Sequence, residues 1–295
     1  MSYMNVNGKK LYVEFEGSKN ENPILFIHGA PGIGVLDFMA FQSKQLSCDY
    51  FVIAPEQRGT FRSESLGLKE EYSVEQIIED YEDIRKQLGI KHWSIIAHSF
   101  GVRILLEYCN KYPDSIYKVI FESPVFNLMT PLKKILAIQL KVFQQNNYHN
   151  KQNYLDVLNV IENIKSFDDL NNNLKKLEKI NGIAMNSIIM NHLTIDKLYE
   201  LRESFDFSLF MKSRKAEINM SKNKQFYQNL ENHSLSEKDV LIIKGADDVI
   251  VSDSEIADFL SKTNLSANVK VIGDSKHWIH VDNQKIFTEL VKTFI

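Results

Sequence analysis

Ser99 stands at the centre of Ala97-His98-Ser99-Phe100-Gly101, directly after the apolar run Trp93-Ser94-Ile95-Ile96-Ala97 and directly before a helical run from Val102 to Lys111. A chain that turns from strand to helix in so few residues holds its serine in a strained conformation, and the residues two before and two after must be small. Ala97 and Gly101 meet that need. The chemistry such a serine performs is nucleophilic attack on a carbonyl, leaving an acyl group on the hydroxyl oxygen. An ordinary N-cap serine is the competing role.

A serine hydroxyl is a poor nucleophile near neutral pH, so it needs a base, and the base needs a partner that fixes its tautomer. His277 follows the strand-like run Val269 to Ile272 within Gly273-Asp274-Ser275-Lys276-His277-Trp278. Asp248 follows the run Val240 to Ile243 within Lys244-Gly245-Ala246-Asp247-Asp248. Both occupy loops after strands, from which their side chains can converge on Ser99. His280 is the alternative base; His98, on the elbow itself, points elsewhere, and His149, His192 and His233 fall in or beside the long helical region. Asp247 and Glu122 are the alternative acids. The third requirement is a pair of backbone N–H groups for the oxyanion. Phe100 supplies one, and His28-Gly29-Ala30-Pro31-Gly32 the other; Pro31 has no N–H, so Ala30 is the first candidate and Gly29 the next.

The elements that must hold these groups are legible in the same residues. Asn7-Gly8 joins two short runs, and Leu11, Val13 and Phe15 alternate with polar neighbours or Tyr12, which predicts a half-buried hairpin strand. Ile24 to Ile27, Phe51 to Ala54 and Trp93 to Ala97 are compact apolar runs, the pattern of buried parallel strands. Ser73-Val74-Glu75-Gln76 opens a helix that runs to Leu88 and stops at Gly89. Ile116 to Phe121, Val240 to Ile243 and Val269 to Ile272 complete a mostly parallel sheet covered by helices, an α/β fold. From Pro124 to about Glu237 only Pro124, Pro131 and Gly182 interrupt helical spacing, as in Tyr154, Val157, Leu158 and Ile161, then Leu170, Leu174 and Leu177. The expected division is a core of 1–124 and 238–295 with an inserted helical cap of 125–237, and Asn171-Asn172-Asn173 predicts a turn inside the cap.

The 295 residues allow one such core with one elaboration. A net charge of −3, with lysines mixed among acids, leaves no basic stripe for nucleic acid. Two cysteines, Cys48 and Cys109, in no metal-ligand spacing, read as buried thiols of a reducing compartment. Met1 to Asn7 lacks a signal-peptide pattern and no apolar stretch approaches a membrane span, so the expectation is a cytoplasmic protein with no membrane partner.

With these residues in view, the chain resembles α/β-hydrolases of the proline iminopeptidase type. His28-Gly29-Ala30-Pro31-Gly32 looks like the family's HGGPG, Gln57-Arg58-Gly59 with Ser63 looks like its DQRGxGxS, and the elbow, Asp248 and His277 match its triad. The resemblance covers the sheet portions, about 1–124 and 238–295. It implies an α/β-hydrolase fold, a Ser99–His277–Asp248 triad, no cofactor, and a small-molecule or short-peptide substrate. Glu56 stands where the family has Asp, Phe61 where it has its second Gly, and Ala97 and Phe100 where it has Gly and Trp. The family holds a substrate's free amine with acids of the cap; Glu200, Glu203 and Glu231 are available here, and each is also what a solvated helix face carries. The leading expectation is therefore hydrolysis of an ester or amide of a compact substrate, with a proline-type aminopeptidase as the alternative. Related epoxide hydrolases and dehalogenases use aspartate at the nucleophile position, where this chain has Ser99. A lyase or cyclase, and a receptor that has lost turnover, are the remaining classes on the same scaffold.

Overall fold

Asn7 and Gly8 both take positive φ, 45° and 77°, as the tightest hairpin turns require, and they join β1 (Ser2–Val6) to β2 (Lys9–Glu16). This computed structural model describes residues 2–146, 151–177, 190–228, 235, 238–263 and 265–295. Six further strands follow: β3 (Asn22–Ile27), β4 (Tyr50–Pro55), β5 (Trp93–His98), β6 (Ile116–Glu122), β7 (Asp239–Gly245) and β8 (Ala267–Ile272). They form one sheet in the order β1-β2-β4-β3-β5-β6-β7-β8. Only the β1/β2 and β2/β4 pairs are antiparallel.

Because side chains alternate across a strand, each apolar run feeds both faces. Leu25, Ile27, Ile95, Ala97, Val119 and Phe121 pack with Ile77, Tyr81 and Leu105 on one side, beneath the helices Val74–Gln87 and Gly101–Lys111. Ile24, Phe26, Ile96, Ile120, Leu241 and Ile243 pack with Phe38, Phe287 and Val291 on the other, where the helix Gln284–Phe294 lies. Ser73 caps its helix as the sequence predicts, its Oγ accepting from the Gln76 N–H, and Gly89 ends it with φ of 68°. In β2 the expected alternation is incomplete. Tyr12 is buried as well, because the Arg62 guanidinium lies 3.8 Å over its ring, while Phe15 is only partly covered. Cys109 is buried, but Cys48 is exposed; its place in the turn before β4 gives it no apolar face to join.

Between β6 and β7 lie the helices Met129–Asn146, Lys151–Asn163, Phe167–Leu177, His192–Glu203 and Phe207–Ser221. The first three share a small core of their own, with Leu136, Leu140, Val157, Ile161, Leu170 and Leu177 buried and Tyr154 and Leu158 against them. The expected turn at Asn171-Asn172-Asn173 does not form, since those residues lie inside the helix Phe167–Leu177. Ser166 and Asp169 cap that helix reciprocally, Asp169 N–H to Ser166 Oγ and Ser166 N–H to Asp169 Oδ2. That start, with burial of Leu170 and Leu177, outweighs the modest helix penalty of asparagine. Gly182 lies outside the described residues.

The loop after β4 fastens these helices to the sheet. Phe61, where a glycine is the expected residue, has φ of 41°, a conformation that disfavours any side chain. Its ring is completely buried and sits 5.2 Å from both Phe205 and Phe210, and its N–H donates to Ser213 Oγ at 2.8 Å. The left-handed backbone is therefore kept, and aromatic burial offsets its strain. Phe61→Ala is expected to cost about 3–5 kcal/mol in urea unfolding, as buried Phe truncations do. Phe61→Gly should cost about 1 kcal/mol less than Ala, reversing the usual order of these two residues, because glycine alone is unstrained at this φ. An alanine variant as stable as the glycine variant would contradict this account.

Candidate active site

Strand β5 ends at His98, and Ser99 follows with φ of 54°. The turn is pinned from both sides. Ser99 N–H donates to Glu122 O at 2.9 Å, and Ser99 O accepts from the Val102 and Val125 N–H groups at 3.1 Å each. A Cβ on Gly101 would come within 2.6 Å of Ile27 O and 2.7 Å of His28 O, so the helix can start here only with glycine at that position.

A second close approach joins the two loops that carry Asp248 and His277. A Cβ on Gly245 would lie 2.1 Å from Lys276 O, and Asp247 N–H donates to Ser275 O at 3.0 Å. His277 Nδ1 is 2.9 Å from Asp248 Oδ2, and His277 Nε2 is 2.8 Å from Ser99 Oγ. Asp248 Oδ1 accepts from Ile250 N–H at 2.8 Å and Val251 N–H at 3.2 Å. Burial alone would raise the Asp248 carboxyl, but the His277 ring and these hydrogen bonds outweigh it and hold the group below its ordinary range. Asp247 is exposed and takes no part in this chain.

Of the expected oxyanion donors, Phe100 follows Ser99 directly, and Ala30, with Gly29 before it, lines the same cavity as Ser99. A Cβ on Gly29, next to Ala30, would lie 3.0 Å from Ser99 Cβ. Among the described residues, neither the Ala30 nor the Phe100 N–H donates to another backbone group. His28 holds the Ala30 loop in place. Its Nε2 accepts from Gln57 N–H at 3.0 Å and Gln57 Nε2 returns a bond to His28 O at 3.0 Å. Accepting at Nε2 leaves the proton on Nδ1, 3.1 Å from Gly29 O. Burial lowers its pKa to about 4, which keeps the ring neutral.

The alternative residues Glu122 and His280 are brought together with each other rather than with Ser99. His280 Nδ1 is 2.9 Å from both Glu122 oxygens, and its Nε2 is 3.6 Å from Asp37 Oδ2, which also accepts from Trp278 Nε1 at 3.0 Å. Burial opposes charge on His280, yet the two carboxylates raise it to about 10; burial opposes charge on Glu122, yet His280 and His98 hold its carboxyl well below the usual range. His98 Nδ1 lies 3.3 Å from Glu122, at an angle that leaves both its ring nitrogens without a hydrogen bond. Ligand atoms of His98, Glu122 and His280 all lie within 4.8 Å of one another. His280 and Glu122 already neutralise and hydrogen-bond each other here, so the group reads as a buried ion pair beneath Ser99 and His277 with the His98 ring against it.

Ser99 and His277 open on a cavity of about 460 Å³ whose far wall is formed by helices inserted between β6 and β7, with Ile195, Leu198, Tyr199, Arg202 and Glu217. Glu200 and Glu203 are exposed and do not line it. Glu231, His149 and His233 lie outside the described residues. Sequence spacing gave no sign of Asp37, Arg202, Arg214 or Glu217, because a cavity wall built by the crossing of separate helices has no local pattern. No helix of the described residues is long and apolar enough to cross a membrane.

Comparison with known proteins agrees with this architecture. The proline iminopeptidase of Neisseria gonorrhoeae is 27% identical over 108 residues, 36% of this chain and 34% of that protein. The chain spans about two fifths or less of the length of the proline iminopeptidases it matches. Epoxide hydrolase 1 of Caenorhabditis elegans is 25% identical over 301 residues, covering 99% of this chain and 69% of that protein. Among solved structures, a proline iminopeptidase-related protein of Thermus thermophilus superposes with a TM-score of 0.73 at 19% identity, covering 99% of this chain and 95% of that one. The family model described as alpha/beta hydrolase fold matches residues 22–284, and with this sheet order, elbow and cavity the chain belongs to the α/β-hydrolase family and resembles its proline iminopeptidase type.

Proposed function

We propose that this hydrolase cleaves an ester or amide of a compact substrate through an acyl-enzyme on Ser99, with 125–237 serving as the cap that closes over it. The observation that carries the reading is the continuous chain Asp248, His277, Ser99 at 2.9 and 2.8 Å, facing the cavity. In this reading His277 Nε2 takes the Ser99 proton as Oγ attacks the carbonyl, then returns it to the departing alcohol or amine. Asp248 keeps the ring proton on Nδ1 and stabilises the imidazolium. Phe100 and Ala30 N–H groups receive the oxyanion. Water, activated by His277, then releases the acid. About 460 Å³ falls within the range of small-molecule sites.

The epoxide hydrolase likeness does not extend to this chemistry. A serine alkoxide that opened an epoxide would leave an ether, which has no carbonyl for water to attack. A carboxylate nucleophile leaves an ester, which water cleaves.

Glu217 supports a second reading, an aminopeptidase, because it is an acid in the cavity wall. Arg214 already holds it at 2.7 Å, and a buried substrate ammonium without its own carboxylate costs several kcal/mol. The expected outcome is turnover of a short 4-nitrophenyl ester, with prolyl naphthylamide cleaved no better than its N-acetylated form. Strong cleavage of the free-amine substrate, lost on acetylation and on Glu217→Gln, would establish the aminopeptidase instead.

A further inference from the structure

We propose that the substrate carries an anionic group, a carboxylate or its equivalent, that Arg202 binds at the cap wall of the cavity. The inference rests on the reading of Ser99 as the nucleophile, and it names the chemistry at the other end of the same substrate.

Among the described residues, four charged side chains line the cavity, Asp37, Arg202, Arg214 and Glu217, and three of them are already paired. Asp37 holds Trp278 Nε1 and faces the cationic His280. Arg214 and Glu217 hold each other. Arg202 is different. It is half-buried in the last turn of the helix His192–Glu203, and among the described residues no carboxylate or carbonyl accepts from it. What it does touch is aromatic: its guanidinium lies 4.6 Å over the Phe210 ring and 5.8 Å over the Tyr199 ring.

An arginine near a helix C-terminus has an unremarkable use, since it complements the last carbonyls through water. That use does not call for a place in the wall of the reaction cavity, nor for aromatic neighbours. A guanidinium presents five N–H donors in one plane. The neighbouring rings narrow the orientations open to the side chain and accept none of its N–H bonds as a carboxylate would, which leaves those donors to a ligand, and arginine can bind a carboxylate with two parallel hydrogen bonds. Ile135, Ile195 and Leu198 add apolar surface to the same cavity, and beside such surface a charge-assisted hydrogen bond is stronger than in open water. The same positive charge opposes a substrate ammonium, which is a second reason to set the aminopeptidase reading aside.

Two pairs of esters test the inference: the 4-nitrophenyl hemiester of adipate against 4-nitrophenyl methyl adipate, with the charge on the acyl side, and 4-carboxyphenyl butyrate against 4-carbamoylphenyl butyrate, with the charge on the leaving group. Enzyme-free rates are subtracted. In the unaltered protein at least one anionic ester should show kcat/KM about tenfold or more above its neutral partner, the scale of one charge-assisted hydrogen bond. Arg202→Gln should lower that ratio by about the same factor, Arg202→Lys should keep part of it, and 0.5 M salt should shrink it. A ratio near one in both pairs, or an Arg202→Gln loss shared equally by anionic and neutral esters, overturns the inference while leaving the Ser99 reading intact. Failure of all four esters, together with no fluorophosphonate labelling of Ser99, overturns the hydrolytic reading. In that event calorimetric titration still decides the anion site, because hexanoate should bind more tightly than hexanamide to the unaltered protein and equally weakly to Arg202→Gln. Equal binding of the two by the unaltered protein overturns it.

Discussion

Ser99→Ala is expected to lower turnover of a short 4-nitrophenyl ester by about 10⁶, the scale found when a triad serine is removed, while the protein stays folded. The second half of that expectation follows from the backbone. Ser99 has φ of 54°, and alanine meets the same left-handed penalty as serine. The Ser99 N–H and C=O bonds to Glu122, Val102 and Val125 do not involve the side chain. What is lost is one hydrogen bond from Oγ to His277 Nε2. Thermal midpoints of the two proteins should therefore agree within a few degrees. A variant that retained more than about a thousandth of the rate, with fluorophosphonate labelling unchanged, would move the nucleophile elsewhere.

The elbow was the most legible part of the chain because its constraint is local. A β-strand, a helix and a serine between them leave no room for side chains at Gly101, and a sequence records that directly. The Asn7-Gly8 hairpin is legible for the same reason. The choice between Asp247 and Asp248 is of another kind. Adjacent residues in a turn point in different directions, and what sets those directions is Gly245 packed on the backbone of Ser275 and Lys276, a contact between segments about thirty residues apart. Glu122 and His280 were open alternatives for the same reason. Their residue types and strand-end positions suit a triad, and only tertiary placement pairs them with each other. The run Asn171-Asn172-Asn173 suggests a turn by propensity alone, and propensity is weaker than a capped helix with a buried leucine face. Arg202 had no signal at all, since its meaning depends on what else lines the cavity.

The paired arrangement of Asp248 with His277 and Glu122 with His280 makes the assignment of the acid testable by two substitutions with opposite expected outcomes. In Asp248→Asn, Oδ1 keeps the Ile250 and Val251 N–H groups as donors, so the new amide NH₂ takes the place of Oδ2 beside His277 Nδ1. An NH₂ there requires Nδ1 to accept, which puts the ring proton on Nε2, the nitrogen that must receive the Ser99 proton. The expected loss is about 10⁴ in turnover, the consequence of a wrong tautomer, with little change in stability. Glu122→Gln removes the anion that holds His280⁺ and should cost about 3–5 kcal/mol of stability, as breaking one side of a buried ion pair does, with turnover within about tenfold. The pH dependence has a definite sign. The His280 share is complete below its ordinary 6.5 and is lost as pH rises toward about 10; the Glu122 share is complete above its ordinary 4.5 and is lost as pH falls. The stability gap between the unaltered protein and Glu122→Gln should therefore be widest near pH 5–6 and narrow by pH 10, read from urea unfolding at each pH. A near-normal Asp248→Asn enzyme beside an inactive but folded Glu122→Gln enzyme would transfer the acid to the end of β6.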